Sequence, residues 1–213
     1  PIVHRILTKI TGNDKFYCSP TDMGVNMVGY GIFDEEACCE ASRQEILRRY
    51  FRAASDCKRG KETEETVQKI MSIMEQLDIH PEDRAVALYA RNKSAACNDV
   101  PAAAIELPDG RIITGKATEL MSASSGAMLN SIKVLADIPK STLLMSPAVL
   151  EPLLSLKNEL LGGSKTSNSV LKADDMLSAL YICAVTDPVA KRAVEQLPKL
   201  CGCEMHSTHI LNS

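Results

Sequence analysis

The spacing of apolar residues predicts helices throughout the first hundred residues. Between residues 2 and 11 apolar side chains recur on one helical face, and Gly12 can end that helix. Asp34 can cap a longer helix, and Pro81 suits the first turn of another. The predicted helices cover residues 2–11, 35–59, 62–77 and 81–96. This part of the chain is therefore expected to be an all-helical subdomain.

The pattern changes after Pro101, where short apolar runs replace the long helical stretches. The runs at 102–107 and 111–116 flank Pro108-Asp109-Gly110, which is a strong turn signal, so they predict a β-hairpin. Two further strands are expected at 142–145 and 204–211. Helices are expected at 118–136, 146–162, 174–186 and 188–196. The pattern thus predicts an α+β or α/β fold, with a helical subdomain at 1–98 and a C-terminal subdomain at 99–213 that has about four short strands flanked by helices.

Composition narrows the function classes. Apolar residues make up 45% of the 213 residues, and the formal net charge is −3, so nothing indicates a nucleic-acid footprint. No apolar run approaches the length of a membrane span. The eight cysteines include an adjacent pair and are expected to be reduced thiols in a cytoplasmic protein. The chain starts at Pro1 rather than Met, and its helical pattern already begins at residue 2. This start predicts a fragment of a longer protein.

The first candidate site lies at residues 19–26. Ser19 can be the N-cap of a helix with Pro20 in its first turn, and a helix start offers free backbone N–H groups to an anion. Thr21 could add a hydroxyl contact. Asp22 and Asn26, four residues apart, would share one face. The alternative is a capping motif on a tightly packed helix.

The second candidate site lies at residues 201–209, which contain two cysteines and two histidines. The Cys201-Gly-Cys203 spacing is poor for structural zinc and for a thioredoxin-like redox pair, so no metal is expected. Strand alternation would also direct His206 and His209 to opposite sides. Cys203 could act as a nucleophile, with His206 as an acid or base. A buried cysteine and a hydrogen-bonded histidine are the structural alternative.

The third candidate is Lys116, which follows the second strand of the hairpin and precedes a helix. Ligands often bind where strands end and helices begin, so Lys116 could contact an anion there. A solvated lysine is the alternative. The chain contains no Walker loop, no Gly-x-Ser-x-Gly elbow and no His-Glu-x-x-His motif, so neither a nucleotide-binding loop nor a hydrolase site is indicated.

Several stretches together resemble a bacterial family catalogued as domain of unknown function 1846. They are SPTDMGVNM at 19–27, EILRRY at 45–50, IELPDG at 105–110, ITGK at 113–116, EQLPKL at 195–200 and GCEMHST at 202–208. The resemblance runs collinearly along the chain and implies the C-terminal part of a longer protein. Its implied N-terminal part is a P-loop-like nucleotide-binding domain, absent here.

Two hypotheses follow from the residues and the resemblance. In the first, the chain contributes a small-molecule or anion site that faces the P-loop-like domain, with Asp22 and His206 as acid or base and Cys203 as nucleophile. In the second, it is a structural module that docks on that domain or self-associates. The sequence assigns neither a reaction nor a cofactor.

Overall fold

The computed structural model describes residues 2–13, 35–160 and 170–210. Within these residues helices dominate and a small antiparallel sheet is present, which confirms the α+β class. The helices are α1 (Ile2–Thr11), α2 (Glu35–Lys58), α3 (Glu64–Gln76), α4 (Ala85–Ala95), α5 (Ala123–Leu135), α6 (Pro147–Ser155), α7 (Ala173–Ala184) and α8 (Pro188–Val194). The strands are β1 (Ala102–Glu106), β2 (Ile112–Lys116) and β3 (Met205–Ser207).

The chain divides into two compact units, an N-terminal unit of residues 1–84 and a C-terminal unit of residues 85–213. The change of sequence pattern at Pro101 lies further along the chain than this division. Helix α4 has the apolar spacing of the helical part, but it packs against the sheet. The subdomain boundary at residue 98 stays a prediction.

In the N-terminal unit, α2 and α3 pack against each other. Leu47, Met74 and Ile79 form their buried centre. Helix α3 begins where the sequence allows a cap, because the Thr63 hydroxyl accepts a hydrogen bond from the Thr66 amide at 3.4 Å. This unit is held by aliphatic packing between two helices.

In the C-terminal unit, the sheet has the strand order β2-β1-β3, and all its pairs are antiparallel. The hairpin predicted around Pro108-Asp109-Gly110 is present, with Ala104 opposite Thr114. The strand predicted at 204–211 is shorter, Met205–Ser207. The strand predicted at 142–145 is wrong, because Leu144 and Met145 lie in a helical core and, among the described residues, no strand pairs with them.

Each face of this sheet is covered by a helix. Alternate residues of β1 point to opposite faces, so Ala104 packs with Val86 and Ala90 of α4, whereas Ala103 and Ile105 pack with α5. A larger core lies between α5 and helices α6, α7 and α8. Helix α5 therefore stands between the sheet and the remaining helices.

The backbone of helix α5 lies almost in contact with the backbone of β2. A Cβ atom added to Gly115 would lie 2.1 Å from the Ala127 nitrogen, and one added to Gly126 would lie 2.9 Å from the Lys116 oxygen. Only glycine fits at both positions, which explains a glycine inside a strand. The Asn130 amide group then donates to the Thr114 carbonyl at 2.8 Å, and this bond fixes the helix along the strand.

Candidate functional site

Four of the residues predicted to form a site lie outside the described residues. They are Ser19, Thr21, Asp22 and Asn26, the members of the predicted anion site. Their roles stay predictions.

Cys203 and His206 lie on opposite sides of the sheet. His206 pairs with Ala104 across β1 and β3, which puts it on the face covered by α4. Cys203 packs instead against the cluster formed by β1 and α5. The two side chains are therefore not brought together as a nucleophile and its base.

The surroundings of Cys203 favour the neutral thiol. Its Sγ donates a weak hydrogen bond to the Lys199 carbonyl at 3.4 Å. Burial, followed by the nearby Cys201 and Glu106, raises the pKa of the Cys203 thiol. Because the thiolate is the nucleophilic form, this environment does not activate Cys203, and its catalytic role stays a prediction.

Three other polar side chains near the last strand form hydrogen bonds within the unit: Ser207, Thr208 and His209. The Ser207 hydroxyl lies 3.0 Å from Nδ1 of His209, and burial lowers the pKa of His209. The Thr208 hydroxyl accepts a hydrogen bond from the Ala102 amide. Within the part of the chain that the structure describes, no three His, Cys, Asp or Glu side chains converge as metal ligands.

Lys116 is exposed at the end of β2. The segment that follows it, residues 118–121, borders a cavity of about 430 Å³ that we name the α5–α6 cavity. Lys116 itself is not part of the cavity wall, and its role as an anion contact stays a prediction.

The walls of the α5–α6 cavity come from four pieces of chain: the 118–121 segment, α5, the 143–145 loop and the start of α6. Eight of the eleven lining residues are apolar, and the other three are Thr118, Glu119 and Lys133. The apolar ones are Leu120, Met121, Leu129, Leu143, Leu144, Met145, Pro147 and Leu150. The cavity therefore suits an apolar molecule.

Hydrogen bonds fix the 118–121 wall in place. The Thr118 amide donates to the Met121 carbonyl at 2.9 Å, and the Met121 amide donates to the Thr118 hydroxyl at 3.0 Å. The Leu171 amide donates to the Leu120 carbonyl at 2.8 Å. This wall is thus preformed, as ligand sites usually are.

Lys133 is unusual among the wall residues because it is a lysine of which only 9% is exposed. It lies one helical turn after Leu129 on α5, so both side chains share a face. Its Nζ donates to the Lys140 carbonyl at 3.2 Å. Among the described residues it forms no ion pair, and burial lowers its pKa below the ordinary value of 10.5.

The sequence did not predict Lys133 as a site residue, because a lysine in the last turn of a helix is usually solvated. The detectable signal was its spacing: it falls four residues after Leu129, which places it on the same face of α5 as that apolar residue. The arrangement combines an apolar space with one amine in its wall. It can hold an apolar body and contact a polar oxygen at its end.

Comparison with protein families gives two matches along the chain. The sequence model described as "Domain of unknown function DUF1846, C-terminal" matches residues 82–213, and the one described as "Domain of unknown function DUF1846, N-terminal" matches residues 1–78. The expectation that only the C-terminal part is present is thereby corrected, since residues of both domains are found.

Two of the curated proteins with similar sequences come from clostridia. A UPF0371 protein of Clostridioides difficile (strain 630) is 46% identical over 219 residues, and one of Clostridium botulinum (strain Alaska E43 / Type E3) is 45% identical over 219 residues. Each alignment covers 100% of this chain and 43% of the relative. The chain thus spans less than half the length of these relatives.

Proposed function

Since the chain belongs to the DUF1846 family, whose function is unknown, we propose a function from its geometry: the C-terminal unit binds a small organic molecule in the α5–α6 cavity. The ligand has an apolar body and one polar end that carries oxygen. The body lies among the leucine and methionine side chains, and the polar end meets Lys133.

The observation that carries this proposal is a nearly buried lysine in the wall of an apolar cavity. Ligand sites have volumes of roughly 300–1,000 Å³ and combine apolar walls with a few placed polar groups. The α5–α6 cavity, at about 430 Å³, has both properties. A lysine amine with a single carbonyl partner still has donors to offer to a ligand oxygen.

Thermal unfolding of the full chain tests the proposal. A ligand that binds only the folded state raises stability by about 2.7 kcal/mol when it is present at a hundred times its dissociation constant. For a chain of this size each kcal/mol raises the melting temperature by about 2–4 °C. We expect such a rise with six-carbon probes that end in oxygen (hexan-1-ol, hexanoate and hexanal), whereas the short polar probe glycerol should give none.

Two exposed apolar residues provide matched variants. Leu143 is 69% exposed and borders the cavity, and Ile182 is 60% exposed on α7, outside the cavity wall. Leu143→Ala should reduce the ligand-induced rise, and Ile182→Ala should leave it unchanged. Equal losses in the two variants would place binding on the general surface and refute the proposal.

A cytoplasmic location belongs to this proposal. It is supported by the cysteines, because all seven that the structure describes are free thiols. Among the described residues, no helix has the length and apolar character needed to cross a membrane.

The alternative function expected from the sequence, self-association, stays a prediction. Helix α7 exposes Tyr181 and Ile182 to solvent, and Val185, the residue that follows the helix, is exposed as well. Sedimentation of the full chain and of Val185→Asp over a wide concentration range distinguishes a monomer from an assembly that uses this helix.

A further inference from the structure

The Lys133 amine occupies a place where a charged ammonium is poorly stabilised. Its side chain is nearly buried, its wall neighbours are mostly apolar, and its one hydrogen-bond partner in the described residues is a neutral carbonyl. Burial without an ion-pair partner among the described residues favours the neutral amine, and burial is the cause that lowers the pKa of Lys133. At a given pH a larger share of the Lys133 amine is therefore neutral than for an exposed lysine, and the neutral amine is the nucleophilic form.

We propose that the Lys133 amine forms an imine with an aldehyde or ketone group of the molecule that fills the α5–α6 cavity. This inference rests on the proposed function, because the cavity must first bind the apolar body of that molecule. It adds the class of ligand, a carbonyl compound with an apolar tail, and a covalent mode of binding.

The reaction balances without any further reactant. The Nζ lone pair attacks the carbonyl carbon, and a proton passes from nitrogen to the former carbonyl oxygen, which gives a carbinolamine. The carbon–oxygen bond then breaks, the nitrogen loses its remaining proton, and one water molecule leaves as the carbon–nitrogen double bond forms. Nothing is oxidised or reduced, and the reverse reaction with water releases the ligand.

The wall of the cavity suits both steps of this reaction. Glu119, a carboxylate of the same wall, can exchange protons with the departing water. The apolar side chains of the wall lower the polarity around the amine, which favours the neutral form that attacks the carbonyl carbon.

Reductive trapping tests the inference on the full chain. The protein is mixed with hexanal and sodium cyanoborohydride near neutral pH, and peptides are mapped by mass spectrometry. We expect one hexyl group on Lys133 before the exposed Lys116 is modified. Lys133→Met, which is close to isosteric, should lose this early adduct completely, whereas Lys116→Met should keep it.

A second arm separates this inference from the proposed function. Hexan-1-ol cannot form an imine, so its effect on thermal unfolding reports occupation of the cavity alone. Stabilisation by hexan-1-ol without early labelling of Lys133 would overturn the imine and leave the cavity as a binding site. Stabilisation by hexanoate alone would overturn it in favour of an acid ligand. If no six-carbon probe stabilises the chain and Lys133 is not labelled early, both proposals fail.

Discussion

The two sides of helix α5 differ in how closely they are packed. On the side of the sheet, Gly115 and Gly126 bring helix and strand so close that no Cβ atom fits between them. On the side of α6, Leu129 and Lys133 border an empty space of about 430 Å³. One helix is therefore anchored by its small residues and leaves a cavity beside its large ones.

This difference shows how a ligand site can be rigid without being filled. The close contact with β2, reinforced by the bond from Asn130 to the Thr114 carbonyl, fixes the position of α5. The open side can then remain unfilled without the helix moving to close it. The two sides should consequently respond very differently to substitution.

The largest effect is expected on the closed side. Gly115→Ala places a methyl group 2.1 Å from the Ala127 nitrogen, and because the obstacle is backbone, the strand or the helix must move. Overpacking of this kind costs about 3 kcal/mol or more. Urea unfolding measures the loss, and Thr114→Ala in the same strand is the control, with a much smaller expected effect. Equal stability of Gly115→Ala and wild type would mean that helix and strand are not in this close contact.

The next prediction is a smaller quantity, the difference in stability loss between truncations at two positions of similar size on α5. Ile132 is fully buried away from the cavity, and Leu129 borders it. Ile132→Ala should cost about 3–4 kcal/mol, within the usual range for a packed core. Leu129→Ala should cost about 2 kcal/mol, because its side chain already lacks contacts on the side of the cavity. If Leu129→Ala proved the costlier change in urea unfolding, the space beside it would be filled rather than open.

The smallest effect concerns Lys133 and depends on pH. Burial lowers its pKa in the folded chain below 10.5, so between the folded pKa and about pH 10.5 the unfolded chain holds more protons. Wild-type stability therefore rises with pH in that window. Lys133→Met should be more stable than wild type at neutral pH, and the difference should shrink as the pH approaches 10.5. Thermal unfolding across this range measures it, with the exposed Lys116→Met as a control for loss of one positive charge.

The fold could be predicted where local chemistry decides it. The turn at Pro108-Asp109-Gly110 determined the hairpin, and the helix predicted from residue 188 does begin there, capped by the Asp187 side chain. The start of α5 was placed too early, because Thr118 caps a turn at Met121 while Ser122 is the residue that caps the helix. The failed strand at 142–145 shows the limit: Leu144 and Met145 are buried in a core formed with helices, whereas Leu143 is exposed, and periodicity does not reveal that.

The candidate site could be predicted only in part. The segment around Lys116 was singled out because a strand leads there into a helix, and residues 118–121 of that segment do border the cavity. Lys133 was missed, since the sequence does not show that α5, loop 143–145 and α6 border one cavity. Cys203 and His206 attracted attention by their residue types, yet the pairing of β3 with β1 puts them on opposite faces.

The central claim is that the α5–α6 cavity binds a small apolar molecule that ends in oxygen. Leucine methyl NMR of the full chain during titration with hexan-1-ol tests it most directly. The account expects saturable shifts of the Leu129, Leu144 and Leu150 methyl signals, with those of Leu47, buried in the N-terminal unit, unmoved. Saturable shifts elsewhere in the chain without shifts at Leu129 and Leu150 would contradict it. The absence of any shift at all hexan-1-ol concentrations would contradict it as well.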